Sequence, residues 1–250
     1  MEPLPEADVN PPFLSIIIPT FNERNRIEAT LDKIVSYLRS RSYSWEVNVA
    51  DDGSTDETTA LVKMKAKGDP RIVLTQGRHG GKGSALKTGM SQAKGEYIFL
   101  CDADLSMPIQ QLERFLPPFL SDYDIAVGSR EVPGARRVEE PQFRHFQGRV
   151  FNAIIKIMGL TEYQDTQCGF KCIRAEVLRP LLPLLRINGF SFDVELLFLA
   201  KKNHLRVAEV PIDWLYKQDS KVRFLTDSWK MLAELIAIRL NFLMGRYQRP

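Results

Sequence analysis

The sequence predicts an α/β fold with a mostly parallel central sheet and helices on both of its faces. In the first half of the chain, short apolar runs rich in β-branched residues alternate with segments whose apolar residues recur at helical spacing. Strands that are apolar throughout are typical of a parallel sheet covered on both faces. Polar clusters follow these runs, and ligands of such sheets bind beyond the carboxyl ends of the strands.

The elements of the first half follow one another in a regular order. Residues 14–18 form a β-branched run that Pro19 should end, and Asn22 can cap the first helix. Ser54 and Glu57 have the spacing of a capping box and should open the second helix. Further strands are predicted at residues 45–50, 72–74 and 97–101, with a short helix from residue 84.

The second half of the chain is less regular. A basic, polar loop is predicted for residues 130–141, and residues 165–171 have the composition of another loop. Strands are predicted at residues 125–127 and 206–210, and helices at residues 143–158, 175–182, 192–203 and 226–245.

Composition limits the classes of protein to which the chain can belong. Its 250 residues, 44% hydrophobic and 26% charged, suit one large globular domain. The formal net charge of +3 is too small to indicate nucleic acid as a partner. Three cysteines without metal-ligand spacing are predicted to be reduced thiols of a cytosolic protein. No apolar run approaches the ~18 residues of a spanning helix, so we expect no membrane-spanning segment.

Two carboxylates stand two positions apart where the fourth strand ends. Asp102 and Asp104 can converge on one hard cation in the turn after the strand. A nucleotide diphosphate leaving group needs such a cation, because Mg²⁺ or Mn²⁺ neutralises the charge that develops on it. An isolated pair of this kind is usually a solvated loop, but its position after a fully apolar strand favours a metal site.

Two other polar segments have both a structural and a functional interpretation. Asp51 and Asp52 begin a turn, and a carboxylate there can also accept hydrogen bonds from a base or a ribose, with Asp52 favoured as the ligand contact. The glycine-rich segment 77–84 fails the strict phosphate-loop pattern, because its first glycine is one position too close to Lys82. It is either a flexible turn or a site for the phosphates of the substrate that carries the nucleotide diphosphate, the donor. We predict that Lys82 contacts this donor.

Basic residues of the second half can meet an anionic ligand. Arg130 and Arg144 either bind phosphates or form a solvated basic face. The C-terminal helix combines apolar residues near helical spacing with Lys230, Arg239 and Arg246. That combination is compatible with an interfacial helix on anionic lipid and equally with a helix packed on the domain core.

Together these segments resemble the large family 2 of inverting glycosyltransferases, which have the A-type nucleotide-binding fold. The shared motifs of the first half are Ile18-Pro19-Thr20-Phe21-Asn22-Glu23, Asp51-Asp52-Gly53-Ser54, Gly81-Lys82-Gly83, Asp102-Ala103-Asp104 and Gly128-Ser129-Arg130. Segments 165–171, 192–197 and 209–214 are similar to the dolichyl-phosphate β-glucosyltransferases in particular. The similarity extends over nearly the whole chain.

This resemblance implies UDP-glucose as the donor, a polyprenyl (dolichyl) phosphate as the acceptor and inversion at the anomeric carbon. The alternative is a polyprenyl-phosphate mannose synthase that uses GDP-mannose, or a family 2 transferase with another donor or acceptor. By the same resemblance, Asp102 and Asp104 hold the metal, and Asp165 occupies a position considered catalytic. The residues implied for the nucleotide and its diphosphate are Pro19, Thr20, Phe21, Glu23, Asp51, Asp52, Gly81, Lys82 and Asp102, and those implied for catalysis are Asp104, Arg130, Arg144, Asp165 and Lys221.

The resemblance also implies an organisation and a location. We expect a polar N-terminal extension at residues 1–12, a glycosyltransferase catalytic domain at 13–224 and an amphipathic C-terminal helix at 225–250. We expect no counterpart of the N-terminal membrane helix of the eukaryotic enzymes. The Gly-Ser-Lys motif of those enzymes is Asp219-Ser220-Lys221 in this sequence. The expected location is cytoplasmic, peripheral on the cytoplasmic face of a membrane.

Overall fold

A computed structural model describes residues 11–139, 141–216 and 224–248 of the chain. The strands in these ranges are β1 (Leu14–Thr20), β2 (Trp45–Asp51), β3 (Ile72–Gln76), β4 (Tyr97–Leu100), β5 (Ile125–Ser129), β6 (Arg136–Val138), β7 (Lys171–Arg174), β8 (Val207–Pro211) and β9 (Asp213–Leu215). The helices are α1 (Ile27–Arg39), α2 (Thr58–Gly68), α3 (Lys82–Gln92), α4 (Gln142–Ile157), α5 (Ala175–Leu181), α6 (Phe192–Lys202) and α7 (Phe224–Leu243), with 3₁₀ helices at Ile109–Phe115 and Leu182–Leu184.

One seven-stranded sheet organises the fold, in the order β3-β2-β1-β4-β7-β5-β8. β7 is antiparallel to both of its neighbours, and the other pairs in this sheet are parallel. The short strands β6 and β9 form a separate parallel pair. The predicted mostly parallel α/β fold is therefore confirmed, and the carboxyl ends of β1, β2, β4 and β5 lie at the same edge of the sheet.

Hydrophobic cores lie on both faces of this sheet. Alternate side chains of β1 divide between them, because Ile16 and Ile18 contribute to one core and Ile17 to the other. All three are fully buried, and such burial contributes about 1.5–3 kcal/mol for each aliphatic side chain. Continuous apolar strands are thus explained by helices on both sides.

The first strand is longer than predicted and continues through Pro19 to Thr20. β4 pairs with β1 only as far as Ile17, so the missing N–H of Pro19 leaves no ladder hydrogen bond unmade on that side. On the other side, the register with β2 continues until Thr20 stands opposite Asp51. The expectation that Pro19 ends the strand is wrong.

Neither of the predicted helix caps is present. α1 begins at Ile27 and α2 at Thr58, with no side-chain hydrogen bond at either cap. The side-chain oxygen of Asn22 instead accepts the backbone N–H of Thr55 at 2.8 Å. The hydroxyl oxygen of Ser54 accepts the backbone N–H of Asn22 at 2.9 Å. These polar side chains connect the loops after β1 and β2, because each finds a partner in the neighbouring loop.

The sequence gives little signal for three of the strands. β7 contains only two apolar residues, Cys172 and Ile173, between a lysine and an arginine. β6 lies inside the segment predicted as an uninterrupted loop, so that prediction is wrong. β6 and β9 are three residues long and pair with each other, which local patterns cannot show.

The C-terminal helix packs against the main domain. Leu235 and Ile238 of α7 are fully buried in one of the cores. Glu234 accepts the N–H of Ser191 at 3.0 Å, and the Tyr247 hydroxyl donates to Glu195 at 2.6 Å. Within the described ranges, no helix combines the length and the apolarity needed to cross a bilayer. The three cysteines are free and buried.

Candidate active site

Polar side chains that follow β1, β2 and β4 form one contiguous set of contacts at the carboxyl edge of the sheet. The hydroxyl of Thr20 lies 3.4 Å from Asp51 Oδ1, and the N–H of Asp52 donates to the carbonyl of Thr20 at 2.8 Å. Asp52 in turn contacts the glycine-rich loop that leads into α3. Lys82, the first residue of α3, places its Nζ 2.8 Å from Asp102 Oδ1.

Asp51 organises the turn that follows β2. Its Oδ2 accepts the backbone N–H groups of Gly53 at 3.1 Å and Ser54 at 2.9 Å, and its Oδ1 accepts the Ser54 hydroxyl. Gly53 has a φ of 78°, a conformation that favours glycine. Because both oxygens of this buried carboxylate are engaged locally, its evident role is to shape the loop.

Asp52 connects that turn to the glycine-rich loop. Its Oδ1 accepts the N–H of Gly80 at 2.9 Å, and its Oδ2 accepts the N–H of Gly81 at 2.8 Å. The side chain of His79 also approaches, with Nδ1 2.8 Å from Oδ2. The ring of Phe21 stacks on His79 with 4.2 Å between centroids. Asp52 therefore fixes the loop that carries Lys82.

The glycines of this loop permit a close approach to a segment that the sequence did not assign to the site. Gly81 has a φ of 106°, and a Cβ there would lie 2.7 Å from the carbonyl oxygen of Asn188. A Cβ on Gly83 would lie 2.8 Å from the side chain of Phe192. α3 thus begins two residues earlier than predicted, directly against the loop before α6.

The loop after β4 holds two acidic side chains with different surroundings. Asp102 is about one-third exposed and faces Lys82, whereas Asp104 accepts the N–H of Ser106 at 2.9 Å. Burial and the negative charge of Asp102 raise the pKa of Asp104 above its ordinary value. Gly169 lies so close to Asp102 that a Cβ there would overlap its carboxylate.

Lys82 is the outer member of a line of alternating charges that leads into the protein. Its Nζ lies 4.0 Å from Asp193 Oδ2 on the first turn of α6, and Asp193 Oδ1 lies 2.6 Å from Lys171 Nζ. Lys171 is fully buried. Burial of Lys82 disfavours its ammonium, but the charges of Asp102 and Asp193 outweigh this and raise its pKa. The sequence signal for Asp193 was its position in the segment 192–197, and no role followed from it.

Arg130, directly after β5, is held by Asp165. Its Nε and Nη2 donate to the two carboxylate oxygens at 2.6 and 2.9 Å, and its backbone N–H donates at 3.0 Å. Burial of Asp165 opposes ionisation, but the Arg130 guanidinium outweighs it and lowers the pKa of Asp165 to about 2. The guanidinium carbon of Arg130 also lies over the indole of Trp214, 5.4 Å from the ring centroid. Asp165 is therefore an ionised carboxylate whose two oxygens are both bound by Arg130.

The loop after Arg130 contains an acidic residue among basic ones. Glu131 lies 2.5 Å from Arg137, 3.4 Å from His145 and 3.7 Å from Arg149. Basic side chains of the loop and of α4 therefore gather next to the Arg130–Asp165 pair. Nothing in the sequence pattern singled out Glu131 as the residue that joins them.

The remaining predicted residues are placed to different extents. Pro19 lies next to Thr20 at the carboxyl end of β1. The carboxylate of Glu23 forms an ion pair with Arg26 at 2.7 Å. The backbone of Arg144 lies in the first turn of α4, and its side chain is outside the described part. Lys221 lies outside the described residues altogether.

The described residues contain no group of three or more His, Cys, Asp and Glu side chains arranged to hold a metal ion by themselves. Asp102 and Asp104 nevertheless fit a hard divalent cation, because carboxylate oxygens are its preferred protein ligands. Burial and the negative charge of Asp102 raise the pKa of Asp104, so a cation bound there would favour its ionised form. Mg²⁺ in particular is often bound through one or two carboxylates together with substrate phosphates.

Comparisons with known proteins agree on one family. The sequence model of glycosyl transferase family 2 matches residues 15–182. The dolichyl-phosphate beta-glucosyltransferase ALG5C of Trichomonas vaginalis is 34% identical in an alignment that covers 93% of this chain and 72% of that protein. The dolichyl-phosphate beta-glucosyltransferase of Saccharomyces cerevisiae is 32% identical over 94% of this chain and 77% of its own length.

Solved structures show the same fold. Glucosyl-3-phosphoglycerate synthase from Mycobacterium tuberculosis, in complex with Mn²⁺, UDP and glucosyl-3-phosphoglycerate, superposes with a TM-score of 0.66. The alignment covers 96% of this chain and 81% of that one at 18% sequence identity. At this identity the likeness concerns the fold alone.

Proposed function

The chain belongs to glycosyl transferase family 2, and from this membership we propose that it transfers glucose from UDP-glucose to a polyprenyl (dolichyl) phosphate. The products would be UDP and a lipid-linked β-glucosyl phosphate, formed with inversion. The names of the relatives at 32–34% identity support the sugar and the acceptor. The observation that carries the proposal is that one edge of the sheet holds two ion pairs. The acidic loop with Asp102 and Asp104 faces Lys82, and Arg130 is bound by the buried carboxylate of Asp165.

On the donor side, we assign the loops after β1 and β2 to the nucleoside. Thr20, Asp51 and Asp52 form a hydrogen-bonded floor there, and Phe21 adds an aromatic ring. A carboxylate oxygen that already accepts one N–H can accept a second, so Asp52 can also receive a hydrogen bond from the base or ribose. Pro19 and Glu23 complete the group implied by the family.

The diphosphate is assigned to the loop that begins α3. Lys82 presents an ammonium whose raised pKa keeps it charged at neutral pH. Backbone N–H groups at the start of a helix also favour an anion. Asp102 and Asp104 would hold Mg²⁺ or Mn²⁺, which supplies neutralisation of the charge on the departing UDP.

On the acceptor side, we assign Arg130 to the lipid phosphate, with Arg144 and Lys221 as further candidates. The second pKa of a phosphate monoester is about 6, so at pH 7 the acceptor is mostly a dianion and needs no general base. One phosphate oxygen of the acceptor bonds to the anomeric carbon of glucose while the bond between that carbon and the UDP oxygen breaks. The departing UDP oxygen keeps the electron pair of the broken bond. Asp165 fits a positioning role, because both of its oxygens bind Arg130.

We propose further that α7 lies against the cytoplasmic face of a membrane. The face of α7 opposite to Leu235 and Ile238 exposes Trp229, Ile236, Leu240 and Leu243. Trp229 and Leu243 are 14 positions apart, so the exposed stripe is about 21 Å long. An exposed apolar stripe with tryptophan and basic residues fits a lipid interface, where a polyprenyl acceptor resides.

A donor panel tests the reaction. The protein is incubated with Mn²⁺, a short-chain polyprenyl phosphate and UDP-glucose, UDP-galactose or GDP-mannose, and release of the nucleoside diphosphate is followed. We expect UDP release from UDP-glucose that requires the prenyl phosphate. Faster release from GDP-mannose, or transfer to 3-phosphoglycerate in place of the lipid, would contradict the proposal.

Vesicle flotation tests the membrane contact. Replacing Leu240 and Leu243 together by serine should weaken binding to vesicles that contain anionic lipid, because it removes apolar surface from the stripe. Met64→Ser is the matched control, since Met64 is an exposed apolar residue on α2. Equal flotation of both variants and of the unmodified protein would contradict the proposed contact between α7 and the lipid surface.

A further inference from the structure

Lys82 lies between two carboxylates that differ in exposure. Its Nζ is 2.8 Å from Asp102 Oδ1 and 4.0 Å from Asp193 Oδ2. The side chain of Asp102 is 32% exposed, whereas that of Asp193 is 4% exposed. One partner therefore faces the proposed donor site, and the other lies inside the protein.

Asp193 is fixed in place from the side away from Lys82. Its Oδ1 lies 2.6 Å from Lys171 Nζ, and Lys171 also donates to the carbonyl oxygen of Cys168. Lys171 is fully buried, and Asp193 is on the first turn of α6, where the helix dipole favours a negative charge. This buried pair is not required to explain metal or donor binding in the proposed function.

Asp102 cannot serve Lys82 and a divalent cation equally. A cation bound to Asp102 and Asp104 would stand close to the ammonium that now contacts Asp102, and like charges at such distances repel. Lys82 then needs another carboxylate within the reach of a side-chain adjustment. Among the described residues, Asp193 is the other carboxylate within 4 Å of its Nζ.

We propose, on the basis of the proposed function, that Lys82 is a resident counter-ion of the acidic loop and moves from Asp102 toward Asp193 when the divalent cation binds. Lys171 is the positioning residue that keeps Asp193 ready to receive it. In the free protein, the ammonium and the divalent cation therefore compete for Asp102. The diphosphate relieves this competition, because it can bind the ammonium and the cation at the same time.

The proposal predicts how the free protein binds Mn²⁺. Binding is measured by electron paramagnetic resonance of free Mn²⁺, with and without UDP. Lys82→Gln should bind Mn²⁺ roughly tenfold more tightly than the unmodified protein in the absence of UDP, because a positive charge beside the ligand is removed. Lys94→Gln, the same change at an exposed lysine at the other end of the sheet, should leave the affinity unchanged.

A charge-neutral double variant tests the buried pair of Lys171 and Asp193. Asp193→Asn with Lys171→Met removes one charge of each sign, so its direct electrostatic effect on the metal is small. It should still weaken Mn²⁺ binding several-fold, because Lys82 then has Asp102 as its remaining carboxylate. In the Lys82→Gln background, the same double change should have no effect, since residues that act through one another are not additive. Thermal melting confirms that each variant is folded.

The outcomes separate this inference from the proposed function. If Asp102→Ala abolishes Mn²⁺ binding while Lys82→Gln leaves it unchanged or weaker, the counter-ion role is overturned and the metal site stands. An effect of the double variant that persists in the Lys82→Gln background overturns the role of Lys171 and Asp193. If Mn²⁺ binds to no variant, with or without UDP, both the inference and the metal site fail.

Discussion

The two edges of the parallel sheet hold the same interaction for different purposes. At the carboxyl edge, buried Asp165 binds Arg130, and at the amino edge, buried Asp69 binds Arg39 and Arg71. The pKa of each aspartate is lowered to about 2. At the carboxyl edge, Asp165 belongs to the segment before β7 in which Gly169 lies against Asp102, whereas the pair at the amino edge fastens the end of α1 to the start of β3.

The surroundings of these pairs differ in the balance of charge. An open pocket at the amino edge is lined by several cations, including Lys94 and Arg179, and its acidic neighbour Asp69 is neutralised by arginines. At the carboxyl edge, Asp102 and Asp104 face Lys82, and burial together with the charge of Asp102 raises the pKa of Asp104. Two carboxylates that share one lysine can accept an external cation, whereas one carboxylate held by two arginines forms a structural ion pair.

The largest expected difference between the edges is in turnover. Asp104→Ala should reduce glucosyl transfer by roughly 10³-fold or more, because the charge on the departing UDP loses its compensating cation. Asp69→Ala should leave turnover within about twofold below its melting temperature. Both variants are assayed with UDP-glucose and Mn²⁺, and EDTA is added in parallel. Unchanged turnover of Asp104→Ala, or of the unmodified protein in EDTA, would contradict the metal role.

A smaller effect is expected when the pair at the carboxyl edge is broken. Asp165→Asn should lower turnover about 100-fold, because Arg130 loses its bidentate partner and its fixed position. The affinity for UDP-glucose, measured by calorimetry, should change by less than about threefold, since Asp165 is assigned to the acceptor side. Complete loss of donor binding would instead place Asp165 with the nucleotide.

The sequence predicts the sheet edge because its signals there are local. β4 is apolar throughout, β1 is largely apolar, and β2 is apolar at Trp45, Val47 and Val49; polar residues stand at or directly after the end of each strand, so the carboxyl ends could be located without knowledge of the fold. Cap preferences are also local, and they predict helix caps at Asn22 and Ser54. In the folded chain these side chains meet across two loops, which is a tertiary contact.

The buried pair behind Lys82 could not be predicted in this way. Lysine is almost never fully buried unless it is paired, so Lys171 in a polar segment suggests a surface residue. Its partner Asp193 is 22 positions away, on the first turn of a helix, where an acidic residue is ordinary. Only the antiparallel insertion of β7 between β4 and β5 brings the two side chains together, and no pattern in the sequence indicates it.

The smallest expected effect concerns stability in acid. Hydrogen bonds from Arg71, aided by those from Arg39, hold the pKa of Asp69 near 2, below its ordinary value of 3.8. A carboxylate with a lowered pKa contributes stability above about pH 4, and that contribution is lost as the pH falls toward 2. Because the side chains of both arginines are exposed to about one-half, solvent screening limits the contribution to about 1 kcal/mol. Urea unfolding of Asp69→Asn at pH 7 and pH 3 should show a deficit that shrinks at the lower pH. A deficit of the same size at both values would mean that Asp69 stabilises the amino edge by packing, and the two edges would then differ in more than their balance of charge.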